Sequence, residues 1–313
     1  MSSAASCERV KPFILIAGPT ASGKSALGLK LARHFGGGIL NCDSLQTYQR
    51  LDIGTAKPTL AERAQVPHYL FDVVRPGEIL TAGDYRRMAL EVLSTELPRR
   101  PVFGVGGSGF YIQALEKGMF DVPKPRPESE LFVRELLEEK GPAHLYRELQ
   151  RLDPEYAEVL NPNDSYRITR AMIIIKDSGR KVTDLRAEFS AKPFPFPLLK
   201  LGLAPEREFL MPRVQKRTAQ MLADGFLQEV RRLLEDGYAS WPPLQSVGYR
   251  ECLQVLSGDL PAEKLSELIV EKTMQLSKKQ RTWFKRDAGI HWLDCADPFA
   301  RAKELSENFL AAH

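Results

Sequence analysis

The first strongly patterned stretch, "PFILIAGPT", carries an unbroken apolar run that leads into a glycine at residue 18. A strand buried on both faces reads this way. "SALGLKLARHF" follows with apolar residues at helical spacing and a glycine stop at Gly36–Gly38. "ILNCD" is a second buried strand, ending at Asp43. "YLFDVV" and "PVFGVG" are two more, and "TAGDYRRMALEVLSTEL" between them is a helix capped at Thr81. Alternating strands and helices predict an α/β fold built on a doubly wound parallel sheet.

The texture then changes. "DVPKPRP" carries Pro123, Pro125 and Pro127, and "KPFPFPLL" carries Pro193, Pro195 and Pro197. Between them "SELFVRELLEEKG", "AHLYRELQRL", "DPEYAEVL" and "SYRITRAMIIIKDSG" keep a helical period. Stiff connectors around a helical block predict a subdomain inserted at 121–196 into a core of 10–120 and 197–313. "LLKLGLA" returns as a strand. Long helices are expected from about Glu206 to Glu235 and from about Pro261 to Arg286, and "IHWLD" is a last strand.

The composition adds little. The chain has 313 residues, 43% hydrophobic and 27% charged, with a net charge of +4. That mildly basic balance permits a nucleic-acid partner without demanding one. Cys7, Cys42, Cys252 and Cys295 form no C-x-x-C pair, so neither a disulfide framework nor a zinc site is expected. The N-terminus lacks a secretory apolar region, and no run reaches the ~18 apolar residues of a membrane span. A cytoplasmic protein without a membrane partner is the expectation.

"GPTASGKS" at Gly18, Pro19, Thr20, Ala21, Ser22, Gly23, Lys24 and Ser25 fits G-x-x-x-x-G-K-[ST]. It lies between a strand and a helix, the context in which that loop cradles phosphates. Lys24 then reaches a terminal phosphate, and Ser25 holds Mg²⁺. Ligands of such sheets sit at the carboxyl ends of the strands, so Asp43 faces the same crevice. Metal ligand, general base and cap for the segment beginning at Ser44 are all open to it. "GVGGSG" satisfies G-x-G-x-x-G, but no strand-end carboxylate lies about 20 residues on. It reads better as a second close-approach loop that brings Ser108 to the crevice.

Three basic groups stand out. "EKTMQLSKKQRTWFKRD" interleaves Lys278, Lys279, Arg281, Lys285 and Arg286 with Trp283 and Phe284. This suits a nucleic-acid backbone with stacked bases, or equally a solvated basic helix face. Arg167 and Arg170 share a helix face in the inserted block. Arg213 and Arg217 share another, either as a clamp on a pyrophosphate or as a surface salt-bridge face.

Taken in order, "GPTASGKS", "CDSLQTYQRLDIGTAKP", "VPHYLFDVV", "VGGSGFYIQAL", "NDSYRITRA", "VGYRE" and "KKQRTWFKR" resemble the bacterial tRNA dimethylallyltransferases, or tRNA isopentenyltransferases. The likeness runs from about residue 12 to 295. It implies a P-loop kinase-like core with a helical insertion. It also implies that the loop holds the diphosphate of dimethylallyl diphosphate rather than a nucleoside triphosphate. The implied acceptor is the adenosine 3′ of the anticodon in tRNAs that read U-initial codons. By resemblance Asp43 is the general base, Ser108 stands where relatives carry threonine, and Arg217 joins Lys24 and Mg²⁺ on the leaving diphosphate. The implied contacts to the tRNA anticodon stem-loop are Asp43, Ser44, Leu45 and Gln46; Arg167, Ile168, Thr169 and Arg170; Gly248, Tyr249 and Arg250; and Lys278, Lys279, Gln280, Arg281, Trp283 and Lys285. Met274 replaces a basic residue common in relatives, so one phosphate contact is expected to be missing. The zinc finger of eukaryotic relatives has no counterpart pattern here, and a monomer is expected.

Overall fold

The computed structural model describes residues 12–119, 125–189 and 192–313. Cys7, Pro123 and the expected boundary at residue 121 lie outside them. The chain divides into two compact units, one of 1–116 with 194–313 and one of 117–193.

The larger unit is built on a six-stranded sheet of β1 (Phe13–Ala17), β2 (Gly38–Asn41), β3 (His68–Tyr69), β4 (Val102–Gly106), β5 (Leu198–Leu203) and β6 (Ile290–Leu293). The order is β3-β2-β4-β1-β5-β6, and every neighbouring pair is parallel. All residues of β1, β2 and β4 are buried, which explains their unbroken apolar runs. Helices Lys24–His34 and Pro298–Ala312 pack on the sheet through Leu27, Leu31 and Ala302. A second core gathers Tyr48, Leu51, Phe226, Val230, Tyr249 and Ile269 from the segment after β2 and the C-terminal helices. Because β4 lies between β1 and β2, the loops after these three strands emerge side by side at the carboxyl edge.

Two expectations change. "YLFDVV" is not one strand: pairing with β2 stops at Tyr69, Leu70 and Asp72 take positive φ of 62° and 55°, and Val74 makes only an isolated bridge to Tyr48. Side chains have captured this backbone. Asn41 Nδ2 donates to Leu70 O at 3.0 Å, and Gln49 Nε2 donates to Asp72 O at 2.9 Å. Lys57 and Arg63 meanwhile hold the two carboxylate oxygens of Asp72 at 2.5 and 2.7 Å. The long helix expected to Glu235 is two helices, Arg207–Ala223 and Phe226–Glu235, broken where Gly225 takes φ 97°. The next long helix is Leu265–Phe284.

The smaller unit is helical, with Pro127–Lys140, Pro142–Leu152, Pro154–Glu158, Ser165–Ser178 and Val182–Ala187 around Val133, Leu145, Leu149, Ile168 and Met172. Three of these helices begin with proline, whose missing N–H costs nothing in a first turn. The fully buried Asp153 ties two helix starts together. It accepts from Tyr156 N at 3.2 Å and from Thr183 N and Oγ1 at 2.9 and 2.6 Å.

Candidate active site

The loop after β1 is shaped by its glycines. A Cβ on Gly18 would lie 2.6 Å from Leu203 O, and Gly23 has φ 94°. Gly23 leads directly into Lys24–His34 and no side chain caps that helix, so its first N–H groups point at the crevice. Lys24 Nζ folds back to Pro19 O at 3.1 Å. Burial pulls its pKa from 10.5 to about 8, with Asp43 opposing that fall and Arg217 adding to it. Among the described residues the buried Ser22 hydroxyl has no hydrogen-bond partner. An ammonium pulled out of water and an unsatisfied hydroxyl in one loop suit an anion.

Asp43 sits just beyond β2. Asn41 brackets its peptide, accepting from Asp43 N at 2.8 Å and donating to Asp43 O at 3.0 Å. Asp43 Oδ1 accepts from Leu45 N at 3.0 Å within a turn, and no helix starts at Ser44, so the capping role is excluded. Among the described residues Oδ2 makes no hydrogen bond. The loop after β4 fixes both flanks of Asp43. Ser108 N donates to Cys42 O at 3.3 Å, and Ser108 Oγ accepts from Ser44 N at 2.9 Å. "GVGGSG" is glycine-rich because the approach is close: a Cβ on Gly106 would lie 2.1 Å from the Cys42 carbonyl. The Cys42 thiol is no rival nucleophile, since burial pushes its pKa up to about 12 although Tyr85 donates to it.

Arg217 enters from Arg207–Ala223, half-buried, with Nη2 donating to Thr55 O at 3.3 Å. Burial lowers its pKa and Asp43 raises it, so Lys24, Asp43 and Arg217 lie within each other's fields. A guanidinium stays charged under such a shift. Arg213 reaches the same loop, with Nη1 3.9 Å from where a Gly23 Cβ would be. Beside them a cleft of about 940 Å³ is lined by Asp52, Lys57, Asp72, Arg213, Lys216 and Arg217, among others.

The expected RNA-facing runs divide by exposure. Lys278, Lys279 and Trp283 line an open groove of about 510 Å³ with Gln275, Thr282 and Arg286. Lys285, Arg250, Arg167 and the neighbouring Tyr166 are exposed, whereas Ser44, Leu45, Gln46, Thr169 and Arg170 are half-buried. Half-buried Arg281 pairs with Glu206 at 2.8 Å. Four residues are turned inward instead. Ile168 lies wholly in the core of the smaller unit. Tyr249 is wholly buried with its hydroxyl on Glu229 at 2.6 Å, and buried Gly248 donates to Glu251 at 2.6 Å. Gln280 braces two loops, accepting from Thr20 N and donating to Gly107 O, each at 2.9 Å. A mixed run on an amphipathic helix must send some positions to the core. Met274 is buried with Leu210, Val214 and Ala21 of the phosphate loop.

Sequence reasoning missed Asn41, Lys57, Asp72 and Glu229. Glu229 alone carried a legible signal: it is a carboxylate on the stripe of Phe226, Val230 and Leu233.

Comparison with known proteins places the chain in a family. Residues 46–287 match the sequence model of the IPP transferase family. A tRNA dimethylallyltransferase of Bdellovibrio bacteriovorus is 48% identical over 300 residues, covering 95% of this chain and 97% of that protein. One from Trichormus variabilis is 43% identical over 285 residues, covering 91% and 95%. Among solved structures, the full-length tRNA isopentenylpyrophosphate transferase of Bacillus halodurans aligns with TM-score 0.69 at 29% identity, covering 96% of each chain. A eukaryotic dimethylallyltransferase acting on tRNA aligns with TM-score 0.80 at 28% identity, covering 97% of this chain and 80% of that one. With a match across most of its length and relatives at this identity, the chain belongs to the IPP transferase family.

Proposed function

We propose that the protein transfers a dimethylallyl group from dimethylallyl diphosphate to the exocyclic amine of the adenosine 3′ of the anticodon in tRNAs that read U-initial codons. The products are isopentenyladenosine and diphosphate. The observation that carries this reading is the meeting of Lys24, from the phosphate loop after β1, and Asp43, just beyond the parallel β2, with Arg217, held on Thr55 O within the field of both. Two cations and a carboxylate in one crevice suit a reaction that expels an anion and removes a proton.

An adenine amine is a weak nucleophile, because its lone pair is delocalised into the ring. As its nitrogen bonds to the allylic carbon, the carbon–oxygen bond to diphosphate breaks and Asp43 takes the amine proton. Negative charge grows on the departing diphosphate, where the loop N–H groups, Lys24 and Arg217 stabilise it. Ser108 holds both peptides that flank Asp43, which keeps the base aimed. Among the described residues no cluster of three or more acidic, histidine or cysteine side chains could cage a metal. The hard hydroxyl oxygen of Ser25, at the start of the helix after the phosphate loop, would hold a Mg²⁺ ion. Bound there, Mg²⁺ supplies charge neutralisation to the diphosphate. The target base must leave its stack to reach Asp43. Lys278, Lys279, Lys285, Arg250, Arg167 and Trp283 are the exposed groups that suit the RNA backbone and an unstacked base. Among the described residues no helix is long and apolar enough to cross a membrane. We read the chain as a monomer acting in the cytoplasm.

The test is Asp43→Asn, with turnover and binding measured separately. We expect turnover to fall by about a hundredfold or more, in line with loss of a general base, while dimethylallyl diphosphate still binds. Turnover near wild type would remove Asp43 from the mechanism.

A further inference from the structure

Outside the groups already assigned a chemical part, one carboxylate has an unusual set of partners. Glu229 Oε2 accepts from Asp52 N at 3.0 Å and Ile53 N at 2.7 Å. Its Oε1 accepts from Gly54 N at 3.3 Å and from Tyr249 OH at 2.6 Å. Consecutive backbone donors converging on one carboxylate make an anion nest occupied by a side chain. The loop is pressed onto its support: a Cβ on Gly54 would meet Phe226 at 2.2 Å and Tyr249 at 2.7 Å.

What this clasp aims is the next carbonyl. Thr55 O accepts from Gln46 Nε2 at 3.0 Å and from Arg217 Nη2 at 3.3 Å. Thr55 Oγ1 donates to Leu51 O at 2.6 Å, closing the loop on itself. One carbonyl thus orients two site side chains from different elements, one expected at the RNA and one at the diphosphate. Neither is fixed by its own element: Gln46 lies in a turn, and Arg217 projects half-buried from its helix.

We propose that Glu229 is a positioning residue for prenyl transfer, holding Arg217 and Gln46 in register through the 52–55 loop. This rests on the diphosphate role given to Arg217 above. A carboxamide at 229 would set an N–H₂ against backbone N–H groups, releasing part of the clasp while keeping the side chain's size.

The experiment compares Glu229→Gln, Arg217→Ala and the double variant. It reads kcat and the KM values for dimethylallyl diphosphate and an anticodon stem-loop, with thermal melts to establish that each protein is folded at the assay temperature. We expect Glu229→Gln to lower kcat/KM for the diphosphate by about tenfold or more. We expect the double variant to lie within about threefold of Arg217→Ala, because both changes act through one group. Glu229→Asp, which keeps the charge, should recover part of the loss. Losses that multiply in the double variant, or wild-type kinetics in a folded Glu229→Gln, would overturn the proposal. If Glu229→Gln does not fold, Tyr249→Phe removes one bond from the same carboxylate and takes its place in the cycle. A non-multiplying loss then supports the proposal, and a multiplying loss or wild-type kinetics overturns it. Wild-type activity in Arg217→Ala would instead strike the proposed function, so the two failures are separable.

Discussion

Lys24 offers a prediction that raising the pH alone can test. Its ammonium is held away from water near Arg217, and its pKa falls from 10.5 to about 8. A bound diphosphate places negative charge beside it and favours the protonated form. Between the pKa of the free protein and that of the complex, each unit of pH should weaken diphosphate binding about tenfold. With the free value near 8, dissociation constants should rise roughly thirtyfold from about pH 7 to about pH 9.5. The ligand's own phosphates are fully ionised through most of that window and contribute little. Stability of the unliganded protein should move oppositely. The unfolded lysine keeps its proton to 10.5 and the folded one loses it near 8, so the unfolded chain binds more protons between them. This contribution to stability therefore increases as pH rises through that window. The assay is calorimetric titration of dimethylallyl diphosphate across the pH range, on wild type and Lys24→Arg. The arginine variant should show a flat profile, since guanidinium does not titrate there. A flat wild-type profile, or one matched by Lys24→Arg, would refute the reasoning.

Three further outcomes are expected. Ser108→Ala leaves Ser44 N without its 2.9 Å acceptor; kcat should drop by about tenfold or more with the KM for dimethylallyl diphosphate unchanged, and Ser108→Thr should restore it. A rise in KM alone would contradict a role in aiming Asp43. Gly106→Ala puts a methyl 2.1 Å from the Cys42 carbonyl, so the loops after β2 and β4 must separate at a cost of about 1–3 kcal/mol or more; an unchanged melting temperature would count against that packing. Replacing Lys278 and Lys279 together by alanine should weaken stem-loop binding and flatten its salt dependence, by about 0.7–0.9 in logarithmic slope for each RNA phosphate no longer neutralised. An unaltered slope would make the groove a plain solvated surface.

The sheet was legible because strands buried on both faces, as β1, β2 and β4 are, are written as short apolar runs, and the partly exposed β5 and β6 also fall in runs that read as strands. The sixth, His68–Tyr69, only enters "YLFDVV", a run that reads as a longer strand than it forms. Its apolar residues resemble a strand, but Lys57, Arg63, Asn41 and Gln49 come from elsewhere to capture its carboxylate and carbonyls. No local pattern encodes that capture. The phosphate loop was legible because a glycine-rich loop before a helix has one dominant use, whereas Asp43 required the topology that puts β2 beside β4. Gln280 and Tyr249 show the opposite limit. Each lies in a run matched to RNA contact by resemblance, yet helical rotation turns one toward Thr20 and Gly107 and the other toward Glu229. Glu229 itself was visible only as a polar interruption of an apolar stripe, and its partners are backbone N–H groups, which every sequence contains.

The measurement closest to the central claim is the mass of the product. The protein is incubated with Mg²⁺ and dimethylallyl diphosphate, together with either an anticodon stem-loop carrying three consecutive adenosines or free AMP. The account predicts one dimethylallyl addition on the stem-loop, at the adenosine 3′ of the anticodon, and none on AMP. Addition to AMP alone would contradict it, making the acceptor a free nucleotide and leaving the exposed Lys278, Lys279 and Trp283 groove without an RNA to bind.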